Sequence, residues 1–117
     1  MDIVIISDKS LFTSAAHWIY LSMVEGFCDN GFSCQLSTTN EIFTNYRRYL
    51  PKLLIIDIAL VKLEDSLILK KLLKIRDTGA KIISNFYLPY DDLPSKRIEN
   101  LINLLEDGSI EFLFGEQ

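Results

Sequence analysis

Short unbroken apolar runs alternating with longer stretches of helical period predict a doubly wound, five-stranded parallel α/β sheet for this chain. Two further observations agree with it. Strands buried on both faces read as continuous apolar runs, as Ile3 to Ile6 and Leu53 to Ile56 do. Each right-handed crossover between parallel strands needs a helix, and a helical pattern stands between each pair of runs.

Ile3 to Ile6 is β-branched throughout and predicts the first strand. A helical pattern follows from Ser10 to about Cys28, stopped by Asp29, Asn30 and Gly31, a turn cluster with a glycine available for a left-handed cap. Phe32 to Ser37 alternates enough for a short second strand. Thr38, Thr39 and Asn40 offer N-caps to a weaker helix through Tyr49, which Pro51 ends. Leu53 to Ile56 is the most strand-like segment and predicts the central strand, with Asp57 at its carboxyl end. Ser66 to Asp77 reads as a helix with Leu69, Leu72 and Leu73 apolar and Lys70, Lys71 and Lys74 polar, closed by Gly79. Lys81 to Ser84 is a fourth strand. Two prolines, two tyrosines and an Asp pair between Asn85 and Pro94 predict a long irregular connection. Ser95 then caps a helix that ends at Gly108, and Ile110 to Phe114 is the fifth strand. Residues 1–117 form one domain, with no internal repeat.

Composition excludes several functional classes. The 117 residues are 49% hydrophobic and 24% charged, enough for one compact core. Cys28, Cys34 and a single histidine cannot supply four zinc ligands, and no leader-like segment precedes the first strand. Reduced thiols and a cytoplasmic location are expected. No apolar run approaches the ~20 residues that cross a bilayer, so no membrane span is expected. The net charge of −4 lacks the basic footprint of a DNA-binding module. Contact with DNA is expected only through a separate domain. The first strand-to-helix turn has no glycine-rich phosphate loop, which argues against a nucleotide-dependent enzyme.

Open parallel sheets bind ligands at the carboxyl ends of their strands. The residues there are Ser7 and Asp8, Asp57, Ser84 and Gly115. Carboxylates ending the first and the central strand suit a hard divalent cation beside a phosphoryl group, which makes Asp8 and Asp57 the candidate metal ligands.

These segments resemble the receiver domains of two-component response regulators, particularly the LuxR-type (NarL/FixJ) class. Ser7-Asp8-Lys9-Ser10-Leu11-Phe12 is similar to that class's D-D-H-P-L-F stretch, and Pro51-Lys52-Leu53-Leu54-Ile55-Ile56-Asp57-Ile58 to its P-D-l-v-l-l-D-i stretch. The resemblance covers the whole chain in element order. It implies a flavodoxin-like sheet, with Asp57 at the phospho-acceptor position and Ser84 at the switch position. It also implies a loss, because the family uses two acids after the first strand to hold magnesium and a lysine after the fifth to pair with the phosphoryl group. Here Ser7 stands in place of the first acid, and Gly115 ends a Gly-Ser-Ile-Glu-Phe-Leu-Phe-Gly segment where the family has the lysine. A cation held by Asp8 and Asp57 alone is weakly bound, and the fixed positive charge is gone. The resemblance therefore implies a non-catalytic pseudo-receiver without a cofactor, its Asp57 vestigial. The alternative is a two-component receiver that accepts phosphoryl on Asp57 with magnesium.

The Tyr87-Leu88-Pro89-Tyr90 stretch lengthens the loop after the fourth strand, similar to the degenerate receivers of biofilm regulators, the CsgD and VpsT branch. The cyclic di-GMP motif W-[FLM]-[ST]-R of that branch is absent, since Trp18 is followed by Ile19, Tyr20 and Leu21.

Plainer roles stand beside these. An aspartate ending a buried strand also anchors the following loop, and Ser84 also suits a strand-end hydrogen bond. His17, among apolar residues, reads as a packed neighbour. Lys70, Lys71, Lys74 and Arg76 form a solvated helix face, and Arg47 and Arg48 lie on the surface.

The first helix is apolar on more than one stripe, which predicts contact on two sides. Receivers place a fifth helix beside the first, and this sequence stops three residues after the fifth strand. The expected outcome is an apolar surface covered by a second copy or by another regulator, anchored by Phe12, Trp18 and Ile19.

Overall fold

The computed structural model describes residues 1–7, 15–85 and 93–112, the side chains of 15–17, 85 and 112 excepted. Strands and helices alternate in the order β1 (Ile3–Ile6), α1 (Ala15–Asp29), β2 (Cys34–Ser37), α2 (Thr39–Tyr49), β3 (Leu53–Asp57), α3 (Ser66–Asp77), β4 (Lys81–Asn85), α4 (Ser95–Glu106) and β5 (Glu111–Phe112). Four parallel strands of four or five residues pair in the order β2-β1-β3-β4. The two residues of β5 add to the outer edge of β4. This order is compatible with flavodoxin-like sheets.

Several boundaries differ from expectation, each for a local reason. The second strand begins at Cys34 rather than Phe32, because the Phe32 amide bonds back to the Phe27 carbonyl at 3.1 Å and closes the turn after α1. Ser95 does not cap α4: Pro94 holds the N-cap position and Ser95 is the first helical residue. The fifth strand is shown only over Glu111–Phe112, since the Ile110 amide is spent on the Leu104 carbonyl at 3.1 Å. Leu113 and Phe114 lie outside the described residues, as do Ser10 to Ser14 of the first predicted helix. Asn85, placed in the connection by the sequence pattern, extends β4. By contrast α3 spans Ser66–Asp77 as the pattern predicts, with the Asp65 carboxylate accepting from the Leu67 amide at 2.9 Å. Gly79 follows it at φ +98°, a conformation that favours glycine.

The pleat divides the core in two. Val4, Ile6, Leu54, Ile56 and Ile82 face α2, α3 and α4, whose Ile42, Phe43, Leu72, Ile75, Leu101 and Leu104 are buried against them. Ile3, Ile5 and Ile55 face α1, and Tyr20, Met23, Val24, Leu36, Leu53 and Phe27 pack there. Among the described residues α1 is the helix that covers this second face. No described helix is long and apolar enough to cross a membrane.

Candidate functional site

The carboxyl edge of the sheet carries the buried polar residues Ser7, Asp57 and Ser84. Asp57 is the last residue of β3 and is 5% exposed. Both of its carboxylate oxygens are used within the chain. The Ala59 amide donates to Oδ1 at 2.9 Å, an Asx turn that bends the chain out of the strand. The Tyr20 hydroxyl donates to Oδ2. The Asp57 carbonyl also accepts from the Leu60 and Val61 amides at 2.9 and 3.0 Å. Asp57 therefore anchors the loop that follows it and ties α1 to the central strand.

Tyr20 reaches this position because of helical spacing. Tyr20, Met23, Val24 and Phe27 fall on one face of α1, at i, i+3, i+4 and i+7, and that face lies on Ile3, Ile5 and Ile55. Tyr20 is fully buried. A buried phenol needs a polar partner, and alternation along β3 turns Asp57 to the same side as Ile55. Removing the hydroxyl in Tyr20→Phe keeps the ring but takes from a buried carboxylate one of its donors. The variant is expected to lose about 1–3 kcal/mol of stability in urea unfolding. An unchanged midpoint would contradict the contact.

The end of β4 is arranged differently. Ser84 pairs with Ile56 across the sheet, and Asn85 stands opposite Asp57. The pleat therefore sends Ser84 to the Ile82 side, away from the face that Asp57 shares with Tyr20. The Ser84 hydroxyl is buried and has no hydrogen-bond partner among the described residues, so the strand-end bond expected of it is also not made there. Ser7 is buried with its amide on the Ser37 carbonyl at 2.9 Å. Asp8, Phe12 and Gly115 lie outside the described residues. No three His, Cys, Asp or Glu side chains gather among the described residues.

The loop after Asp57 is held from above by α4. Arg97 forms a two-point pair with Glu64, Nε to Oε1 at 2.7 Å and Nη2 to Oε2 at 2.9 Å. Its Nη1 donates to the Ile58 carbonyl at 3.0 Å. One turn on, Asn100 donates to the Leu63 carbonyl at 2.7 Å. The Arg97 guanidinium holds the Glu64 carboxyl below the ordinary glutamate range, chiefly through these hydrogen bonds. The sequence pattern assigned no role to Tyr20 or Arg97, although both carried a signal. Arg97 occupies the apolar stripe of α4 with Leu101 and Leu104, at i, i+4 and i+7, where a lone charge implies a buried partner.

On the outer side of α1, Trp18 and Ile19 are 63% and 40% exposed. With Ser22 and Met23 they line a shallow open hollow of about 420 Å³. Of the two contact sides predicted for this helix, the sheet side is seen, and on the other Trp18 and Ile19 stand exposed beside the exposed polar Ser22 and Glu25. No protein-family model, curated protein or solved structure matches the chain.

Proposed function

We propose that this chain is a non-catalytic, receiver-like regulatory domain of a LuxR-type transcription regulator, one that acts by dimerisation and partner binding without phosphorylation. The observation that carries the reading is the pairing of Asp57 with Tyr20 and Ala59. A phosphoryl group or a metal ion would compete at Asp57 with a fully buried phenol on one oxygen and a backbone amide on the other. Displacing either carries a desolvation cost.

Among the described residues, this edge gathers no set of three acidic, histidine or cysteine side chains that could hold magnesium. Ser7 brings no charge, and Asp57 already accepts a hydrogen bond on each oxygen. The sheet remains as a scaffold, and the exposed apolar side of α1 is the surface the domain uses. Trp18 and Ile19 anchor it, joined by Phe12 in the proposed interface. Its occupant is a second copy of the chain or another regulator. The sheet order β2-β1-β3-β4 supports a flavodoxin-like assignment, and the face shared with α1 is where receivers carry their last helix. DNA is contacted only by a separate domain, and the setting is the cytoplasm.

Titration with magnesium and beryllofluoride, a phosphoryl mimic, followed by amide NMR tests the reading. The expected result is no saturable shift at the amides of Asp57, Ile58 and Ala59. Saturable shifts centred on those amides would mean that Asp57 accepts phosphoryl and that the domain is a working two-component receiver.

A further inference from the structure

The two cysteines meet across the turn that joins α1 to β2. The Cys28 Sγ lies 3.8 Å from the Cys34 carbonyl oxygen. A carbonyl oxygen lies about 3 Å from the Cβ of its own residue, so this contact brings the Cys28 sulfur into the neighbourhood of the Cys34 side chain. Both are free thiols, Cys28 exposed and Cys34 half-buried.

The turn between them is fixed by its own contacts. The Gly31 amide bonds the Cys28 carbonyl and the Phe32 amide the Phe27 carbonyl, each at 3.1 Å. The Asn30 side chain donates to the Gly26 carbonyl at 2.7 Å, and the Phe27 and Phe32 rings meet edge to face at 6.4 Å. Gly31 takes φ +90°, which lets the chain reverse within these few residues.

We propose that Cys28 and Cys34 form an oxidant-reactive dithiol that closes to an intrachain disulfide on meeting a peroxide. The exposed Cys28 is the attacking sulfur. Its thiolate breaks the peroxide O–O bond, taking one oxygen to give a sulfenic acid while the other leaves as hydroxide. The Cys34 sulfur then attacks the Cys28 sulfur, the S–O bond breaks, and the S–S bond forms with release of water. In sum the two thiols lose two electrons and two hydrogens, and the peroxide is reduced to water. Burial, reinforced by the neighbouring Cys28, pushes the Cys34 thiol up to about 11, so it waits protonated and serves as the resolving partner. The bond ties the last turn of α1 to the edge strand β2. This inference does not depend on the reading of Asp57.

The test treats the full chain with excess hydrogen peroxide, blocks remaining thiols with iodoacetamide, and maps peptides by mass without reduction. The expected product has lost two hydrogens, resists alkylation at both cysteines, and recovers both thiols with dithiothreitol. Its rate of formation is independent of protein concentration. The closing step accelerates by about tenfold per pH unit on the alkaline side of neutrality, following the growing Cys34 thiolate. In Cys34→Ser the same treatment leaves a Cys28 sulfenic acid that dimedone traps. Recovery of both cysteines in alkylatable form after peroxide, or linkage only between chains, overturns the proposal.

Discussion

Arg97→Met is expected to destabilise the domain by about 3 kcal/mol, near the lower end for breaking a buried ion pair by removing one partner. Arg97 is 7% exposed at its side chain, and methionine matches the length of its stem without its donors. Four hydrogen bonds are lost at once: both to Glu64 and those to the Ile58 and Ala59 carbonyls. The Glu64 side chain is 28% exposed, so water stabilises part of its charge and keeps the cost from the upper end of the range. Glu64→Gln retains one acceptor but leaves the buried guanidinium without its counter-charge, and is expected to cost about 3 kcal/mol as well. Urea midpoints of the three proteins give the comparison. Equal midpoints for Arg97→Met and the unmodified chain would mean that the loop after Asp57 is held by its own turn alone.

The same pair sets a dependence on pH. The Glu64 carboxyl is held below its ordinary value in the folded chain by Arg97. Its contribution is therefore complete above the ordinary glutamate value and is lost as pH falls through the lower folded value. Acid titration of stability is expected to show this loss in the unmodified chain and to lack it in Arg97→Met.

Trp18→Glu is expected to convert a dimer into a monomer while leaving the fold in place. Central aromatic anchors of an interface commonly contribute 2 kcal/mol or more, so the dissociation constant should rise by about 30-fold or more. A carboxylate introduced against a second apolar surface adds desolvation to the lost contact. Because Trp18 is 63% exposed in the single chain, the stability of the monomer should change by only about 0.5 kcal/mol or less. Sedimentation or light scattering together with far-UV circular dichroism separates association from folding. An unchanged mass would move the interface away from this face of α1.

The alternation of segments was legible in the sequence because the apolar runs differ in period. Ile3–Ile6 and Leu54–Ile56 are buried on both faces, so nothing polar interrupts them, and α3 spans the expected residues with its glycine stop in the expected place. The ends of elements were less legible. Whether Phe32 joins a strand is decided by an amide bond to Phe27, and whether Ile110 does is decided by one to Leu104. Both are contacts with a preceding helix rather than properties of the local pattern.

The site was legible in part. The position of Asp57 at the end of the central strand followed from the strand pattern, whereas its partner did not. Tyr20 is distant in sequence and reads, residue by residue, as one more aromatic on an apolar helix. Only its spacing with Met23, Val24 and Phe27 marks it as facing inward. Ser84 was placed at the same sheet edge as Asp57 by the strand pattern, but pleating is decided by single-residue register. Ile56 pairs with Ser84 and Asp57 with Asn85, which turns the hydroxyl to the other face.

Assembly of the domain should need no chemistry at Asp57, and the solution mass of the chain tests this most directly. Light scattering over a concentration series, with and without magnesium and beryllofluoride, should give a dimer whose dissociation constant is the same in both conditions. A monomer that doubles its mass only when both are present would contradict it, and would make Asp57 the switch that Tyr20 is here taken to close.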